Sequence, residues 1–95
     1  MIGKYCMVRT SRAGVFAGTV ESRTGSEVHL KNARRIWYWT GAASLSQLAQ
    51  SGTTSPQTCK FPEPVDEVLL MDVIEIIPIT AEAEASIAKV AVWKE

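Results

Sequence analysis

The sequence predicts a mainly β fold with short helices, of the α+β class. The expected form is a small antiparallel barrel or meander, with one helix inserted after the third strand and a short helix near the C-terminus. Polar and apolar residues alternate in the first third of the chain, Gly-containing turns separate these runs, and two Ser/Thr positions look like helix N-caps. The 95 residues, 46% of them hydrophobic and 21% charged, predict one domain with a single modest core.

The first three strands are predicted to form a meander. They cover residues 4–10, 15–22 and 27–31. The pattern also fits a longer third strand that continues through Trp39. Alternation places Phe16, Gly18 and Val20 on one face of the second strand. Gly25 suits the turn at 23–26, because glycine adopts a positive φ without steric cost.

Capping signals place a helix after the third strand. Ser44 precedes the helical run, Gln47 completes a capping box three residues later, and Gly52 suits the position that ends the helix. The helix is expected to bury one apolar side, made of Leu45, Leu48 and Ala49. The small residues of the stretch 41–43 allow the backbone there to approach a neighbouring segment closely.

The second half of the chain begins with a stretch rich in Ser, Thr, Gln and Pro. We interpret residues 51–64 as a surface loop, either mobile or covering a ligand. Residues 67–79 are rich in β-branched side chains and fit either two short strands or one strand bent near Asp72. Thr80 caps a final helical segment at 81–88, and residues 90–93 form an edge strand or a docked terminus.

The net charge of zero conceals an asymmetry. Residues 1–40 contain seven Lys or Arg and two Glu, a net charge of +5, whereas residues 41–95 contain three Lys and eight acidic residues, a net charge of −5. A basic half favours an anionic partner. Alternatively, the two halves pair with each other, within one chain or between copies. Both interpretations remain open.

The chain contains no catalytic signature. Its single histidine, His29, is expected on the polar face of a strand, and Ser44 and Ser46 lack the context of an activated nucleophile. The acidic residues at 66, 67, 72 and 75 have no metal or acid–base spacing and are expected to be solvated. Cys6 and Cys59 are expected to be free thiols, since two cysteines make neither a disulfide framework nor a zinc site. We therefore predict a protein that is not an enzyme and needs no cofactor or metal.

The stretch K31-N-A-R-R-I-W-Y-W-T-G41 concentrates positive charges and aromatic rings. In an extended chain, Arg35, Trp37 and Trp39 share one face, and the other carries Arg34, Ile36 and Tyr38. Rings that stack on a base and a guanidinium that meets a phosphate are what a nucleotide site requires. Alternatively, the tryptophans fill the core or a subunit interface, where Trp and Arg are also enriched. The start of the helix at Ser44 is either an anion site or a plain capping box.

Two resemblances bear on fold and origin. The stretch G-T-V-E-S-R-T-G-S-E-V-H-L-K-N-A at 18–33 resembles the bent strand pair of Sm-like proteins, and the whole pattern resembles a small SH3-like or Sm-like barrel. The core K-N-A-R-R-I-W-Y-W-T-G-A-A-S-L-S-Q-L-A at 31–49, with V-R-T-S-R-A-G-V-F-A-G, C-K-F, V-I-E-I-I-P and V-W-K elsewhere, resembles a family of small phage and prophage proteins of unassigned function. The second resemblance implies a soluble phage-encoded protein acting in the cytoplasm of a bacterial host and supplies no site residues. No membrane partner is expected, because the apolar runs are far shorter than the ~20 residues needed to cross a bilayer.

The leading hypothesis is a binding protein that captures a nucleotide-like ligand, such as a cyclic nucleotide immune signal. The predicted ligand-binding residues are Lys31, Asn32, Arg34, Arg35, Trp37, Tyr38, Trp39, Ser44 and Gln47. The alternatives are a small barrel that binds single-stranded RNA or DNA with the same residues, and a module that docks on a host protein. Because strand edges rich in β-branched residues tend to pair, we also predict a homo-oligomer.

Overall fold

A computed structural model describes all residues of the chain, 1–95. Its elements, in chain order, are β1 (Tyr5–Thr10), β2 (Val15–Thr24), β3 (Glu27–Arg35), α1 (Leu45–Ser51), a 3-10 turn (Pro56–Thr58), β4 (Val65–Leu70), β5 (Val73–Pro78) and α2 (Ala81–Ala88). The strands form one antiparallel sheet in the order β4-β3-β2-β1-β5. The predicted α+β class is confirmed, with the helix after β3 and the helix near the C-terminus. Neither helix has the length and apolar character required to span a bilayer.

The sheet is strongly curled. β4 and β5 lie at opposite edges, yet only Met71 and Asp72 separate them in the chain. Three Cα–Cα steps reach at most about 11 Å, so the two edges approach each other at this corner. Asp72 takes a φ of 56°, and the Val73 amide donates to the Ser26 carbonyl at 2.9 Å. No hydrogen-bonded ladder joins β4 to β5, so the sheet is an open, curled meander rather than a closed barrel.

Bulges contribute to the curl. The register between β2 and β3 shifts twice, and Asn32 occupies one irregularity with a φ of 51°. Gly18 faces this site, where an added Cβ would lie 3.1 Å from the Lys31 carbonyl oxygen. Because a bulge bends its strand and increases the local twist, these positions help to wrap the sheet around its concave face.

The central strands β1, β2 and β3 bury side chains on both faces of the sheet. The helices and the C-terminal segment cover one face, where the core contains Met7, Ala17, Ile36, Leu48, Ala49, Cys59, Phe61, Ile87 and Val90. The curl encloses the other face, where the core contains Cys6, Val8, Phe16, Val20, Val28, Leu30, Ala33 and Leu70. The predicted single core is therefore two clusters separated by the sheet.

The predicted cap residues are confirmed. The hydroxyl of Ser44 accepts a hydrogen bond from the Gln47 amide, and Gly52 ends α1 with its amide donating to the Leu48 carbonyl. Thr80 caps α2 in the same way, by accepting from the Ala83 amide. These signals succeed because each depends on residues within one helical turn.

Two predictions need correction. β3 ends at Arg35 rather than Trp39, because the chain leaves the sheet and Tyr38 pairs with Lys60 in an isolated bridge. The segment 51–64 is only partly a surface loop, since Cys59 and Phe61 are buried in the core. The segment 90–93 is a docked terminus: the Trp93 amide donates to the Phe61 carbonyl at 3.0 Å.

Candidate functional site

The segment that follows β3 divides between the core and the surface. The predicted alternation holds for Arg34 and Ile36, which are buried, and for Arg35 and Trp37, which face outwards. Tyr38 was predicted to share the face of Arg34 and Ile36, but it is exposed, because the strand geometry ends at Arg35. The two adjacent arginines therefore have different roles.

Arg34 is a buried structural residue. Its guanidinium donates to four backbone carbonyl oxygens, those of Pro62 at 3.2 Å, Ile87 at 3.1 Å, Phe61 at 3.3 Å and Val90 at 2.7 Å. Burial lowers the pKa of Arg34, and the nearby Tyr5 partly opposes this shift. Because the donors of Arg34 are directed into the protein, Arg34 is not placed to bind a phosphate. Of the two arginines predicted for that role, Arg35 is the remaining candidate.

Arg35 lies in a cleft of about 360 Å³ between the β1–β2 turn and the segment after β3. The cleft is lined by two arginines, Arg12 and Arg35, by two tryptophans, Trp37 and Trp39, and by residues 13–15 and 36. The Arg35 guanidinium lies 4.3 Å from the centre of the Phe16 ring and donates one hydrogen bond, to the Ala13 carbonyl. Its orientation is thus set by the protein, while its remaining N–H groups make no internal hydrogen bond. We call this cleft the Arg35 cleft.

Next to this cleft lies an exposed cluster of three aromatic side chains, Trp37, Tyr38 and Trp93, together with Lys60. The Trp37 and Trp93 rings are nearly parallel, at 9°, with their centroids 6.5 Å apart. The Lys60 ammonium lies 5.7 Å from the centre of the Tyr38 ring and 5.6 Å from that of Trp93. The side chains are well exposed, 62% for Trp37 and 46% for Trp93. Exposed apolar side chains that are contiguous, as these are, mark interaction sites more often than singly exposed ones do.

The remaining predicted site residues lie outside the Arg35 cleft. Lys31 and Asn32 are exposed on β3, where Lys31 pairs with Glu67 of β4 in the strand register. Ser44 accepts from the Gln47 amide at 3.1 Å, and the Gln47 side-chain oxygen accepts from the Ala43 amide at 2.8 Å. The start of α1 is therefore capped by Ser44, but the reciprocal bond differs from a capping box, because Gln47 accepts from the Ala43 amide and not from the Ser44 amide. The structure brings together Arg35, Trp37 and Trp39, and places Tyr38 beside them.

Three residues of this surface were not in the predicted set: Arg12, Lys60 and Trp93. Arg12 comes from the β1–β2 turn, and Trp93 arrives through the parallel bridge between Phe61 and Val92. The available sequence signal was the third tryptophan beside a lysine, in V-W-K at 92–94, but that segment was predicted only to form an edge strand or a docked terminus.

His29 lies on another part of the surface. Its Nε2 is 2.7 Å from Oε1 of Glu67, and it lines a hollow of about 360 Å³ with Ser22, Thr24, Glu27 and Leu69. His29 lies on β3, as predicted, and is half-buried. No three His, Cys, Asp or Glu side chains come together in a metal-binding arrangement.

The charge asymmetry is only slightly neutralised within the chain. Arg9 of the basic half forms an ion pair with Glu75 at 2.8 Å, and His29 lies in hydrogen-bond contact with Glu67. Arg12, Arg35 and Lys60 have no carboxylate partner in the chain.

A family model matches residues 3–87 and bears the description "Domain of unknown function (DUF6948)". No curated protein and no solved structure matches the chain. The matched range includes β1 to β5, the Arg35 cleft and Lys60, and ends before Trp93. Because the match covers most of the sequence, the chain belongs to the DUF6948 family, a family of uncharacterised proteins.

Proposed function

We propose that the protein captures a nucleotide-like ligand in the Arg35 cleft and performs no chemistry on it. The observation that carries this proposal is the combination of two arginines and two tryptophans around one cleft of about 360 Å³. A planar guanidinium binds phosphate oxygens through two parallel hydrogen bonds, and an indole ring stacks on a base. One stacked base contributes about 1–3 kcal/mol, so a few such contacts give useful affinity.

The proposed biological setting rests on the resemblance to small phage and prophage proteins. In this proposal the protein acts in the cytoplasm of an infected bacterium and sequesters a cyclic nucleotide that signals infection to the host defence. Sequestration requires binding alone, at a stoichiometric amount of protein. A small domain without catalytic machinery is sufficient for that role.

Titration calorimetry against a panel of cyclic mono- and dinucleotides tests the proposal. We expect saturable binding of at least one of them at tens of micromolar protein. Arg35→Gln should weaken it about tenfold or more, because it removes the phosphate-binding charge. Arg23→Gln is the matched control: it makes the same substitution at an exposed arginine outside the cleft and should leave the affinity unchanged. The absence of binding to every member of the panel would reject the proposal.

A second candidate is a protein that binds single-stranded RNA or DNA. It is supported by the exposed tryptophans 37 and 93, which extend the aromatic surface beyond one cleft. Salt distinguishes the candidates, since contacts with many phosphates make the affinity fall steeply with ionic strength. A ligand held by one or two phosphates gives a shallow slope.

Self-association and docking on a host protein are proposed on the basis of the open sheet edges. Both edge strands expose apolar side chains, Val65 and Leu69 on β4 and Ile74 on β5. Unpaired strand edges readily accept another strand. Light scattering is expected to give a mass above that of one chain, and a monomer would contradict the oligomer. Mass spectrometry of proteins recovered from infected cells would identify a host partner.

A further inference from the structure

The parallel pair of Trp37 and Trp93 separates two hollows. Trp37 lines the Arg35 cleft, of about 360 Å³. Trp93 lines a second hollow, of about 240 Å³, together with Pro62, Lys94 and Glu95. Since the two rings are nearly parallel with centroids 6.5 Å apart, the hollows lie close to each other on the same surface. Each hollow therefore has its own exposed indole ring.

Two lysines, Lys60 and Lys94, and one glutamate, Glu95, lie near the Trp93 ring. The side-chain charge close to this ring is therefore positive on balance, which bears on the kind of ligand that this surface accepts. Lys60 already holds its ammonium group within 6 Å of the ring centres of both Tyr38 and Trp93. A cationic ligand, such as a methylated lysine, would compete with Lys60 for the same ring faces and be repelled by it. A planar ligand with a negative charge is favoured instead, because Lys60 attracts its charge while the aromatic rings stack on its plane.

The size of the Arg35 cleft limits what it can hold alone. Its volume lies near the lower end of the range of about 300–1,000 Å³ that is typical of small-molecule sites. One nucleotide fits such a volume better than two. A larger ligand would have to continue past Trp37, and the adjacent surface offers Trp93 and Lys60.

We propose that Trp93 and Lys60 form a second base-binding subsite, so that the preferred ligand consists of two bases linked through phosphate. The first base stacks on Trp37 or Trp39 in the Arg35 cleft, and the second stacks on Trp93. Arg35 and Arg12 contact the phosphate at the cleft, and Lys60 contacts it at the second subsite. This inference rests on the proposed capture of a nucleotide-like ligand and deepens it by naming the ligand class.

The experiment compares AMP and GMP with linear and cyclic dinucleotides of the same bases, by titration calorimetry on the full chain. We expect a dinucleotide to bind at least tenfold more tightly than its mononucleotide. Trp93→Ala should remove most of this difference without changing the mononucleotide affinity. Lys60→Gln, an exposed substitution, should act in the same direction and tests the subsite independently of any folding defect in Trp93→Ala. Ile74→Ala, a similarly exposed apolar substitution on β5, is the control and should bind like the wild type.

The outcomes separate the two proposals. If mononucleotides bind as tightly as dinucleotides, or if neither Trp93→Ala nor Lys60→Gln weakens dinucleotide binding, the second subsite is rejected while the Arg35 cleft stands. If no nucleotide binds, both are rejected. The comparison of linear with cyclic dinucleotides distinguishes two natural ligands of the same chemical class. Tighter binding of the cyclic dinucleotide indicates a signalling molecule, and equal binding indicates a short stretch of single-stranded nucleic acid.

Discussion

The guanidinium of Arg34, on β3, donates a 2.7 Å hydrogen bond to the carbonyl oxygen of Val90, just beyond the end of α2. The same side chain also reaches the Ile87 carbonyl, in the last turn of that helix. α2 has no basic residue of its own in its last turn. Because the C-terminal carbonyls of a helix are unpaired and partially negative, a positive group is stabilising there. Arg34 of β3 therefore supplies the positive charge that the last turn of α2 lacks.

Replacing Arg34 with Met should lower the free energy of unfolding by about 3 kcal/mol, because the part-buried carbonyl of Pro62 and the buried carbonyl of Val90 lose their donor. The Phe61 and Ile87 carbonyls keep a backbone amide as donor. Arg34→Lys should recover less than half of this loss, since a single ammonium cannot reproduce the planar fork of donors. Urea unfolding measures both. Arg12→Met, an exposed arginine without an internal hydrogen bond, is the control and should change stability by less than about 0.5 kcal/mol. Equal losses of stability for Arg34→Met and Arg12→Met would show that the hydrogen bonds from Arg34 to the backbone do not stabilise the fold.

Gly41→Ala should destabilise the protein much more than Gly25→Ala. Both glycines have a positive φ, 79° and 60°, so both substitutions carry a backbone cost of about 1–2 kcal/mol. An added Cβ at Gly41 would lie 2.5 Å from the Ser55 amide nitrogen, whereas nothing lies within 4 Å at Gly25. The clash with backbone should bring the total cost at Gly41 above about 3 kcal/mol. Thermal unfolding of the two variants gives the comparison, and similar melting temperatures would refute the close approach.

Stability should fall as the solution becomes alkaline. Burial raises the pKa of the Cys6 thiol above its ordinary value of 9.0, and burial with the nearby Glu84 raises the pKa of the Tyr5 phenol above 10.0. The unfolded chain therefore loses these protons at a lower pH than the folded protein does. Unfolding then releases protons, so the free energy of unfolding is fully maintained below about pH 8 and decreases from about pH 9 upwards.

Urea unfolding at a series of pH values checks this dependence. Cys6→Ala and Tyr5→Phe each remove one of the titrating groups, and each should make the alkaline decline less steep, whatever its effect on stability near neutral pH. A wild-type stability that stayed constant to about pH 10 would contradict the expected linkage.

Both cysteines should resist modification in the folded protein. Cys6 and Cys59 are free and buried, and they belong to core clusters on opposite faces of the sheet, so they cannot form a disulfide with each other. A thiol reagent such as Ellman's reagent should label both quickly in urea and only slowly without it, because neither buried thiol is accessible in the folded protein. Rapid labelling of either one under native conditions would indicate that its core cluster opens easily.

The helix ends were predictable because their signals are local. Ser44, Gly52 and Thr80 act on amides or carbonyls within a few residues of themselves. The turn at Gly25 and the alternation of β2 are local in the same sense. The burial of Phe61 was not predictable in this way, since it lies in a polar, Pro-containing stretch and is buried only by contacts with distant parts of the chain.

The sequence by itself determined that Arg34 and Arg35 point in opposite directions, because side chains alternate along any strand. Which of them is buried was decided by the packing of α2 and of the segment around Phe61 on one face of the sheet. In the same way, the sequence showed an aromatic, basic segment at 31–41, but Arg12, Lys60 and Trp93 join that surface only through the β1–β2 turn and two isolated bridges. Such contacts between residues far apart in the chain depend on how the sheet curls, and no local pattern of residues records that curvature.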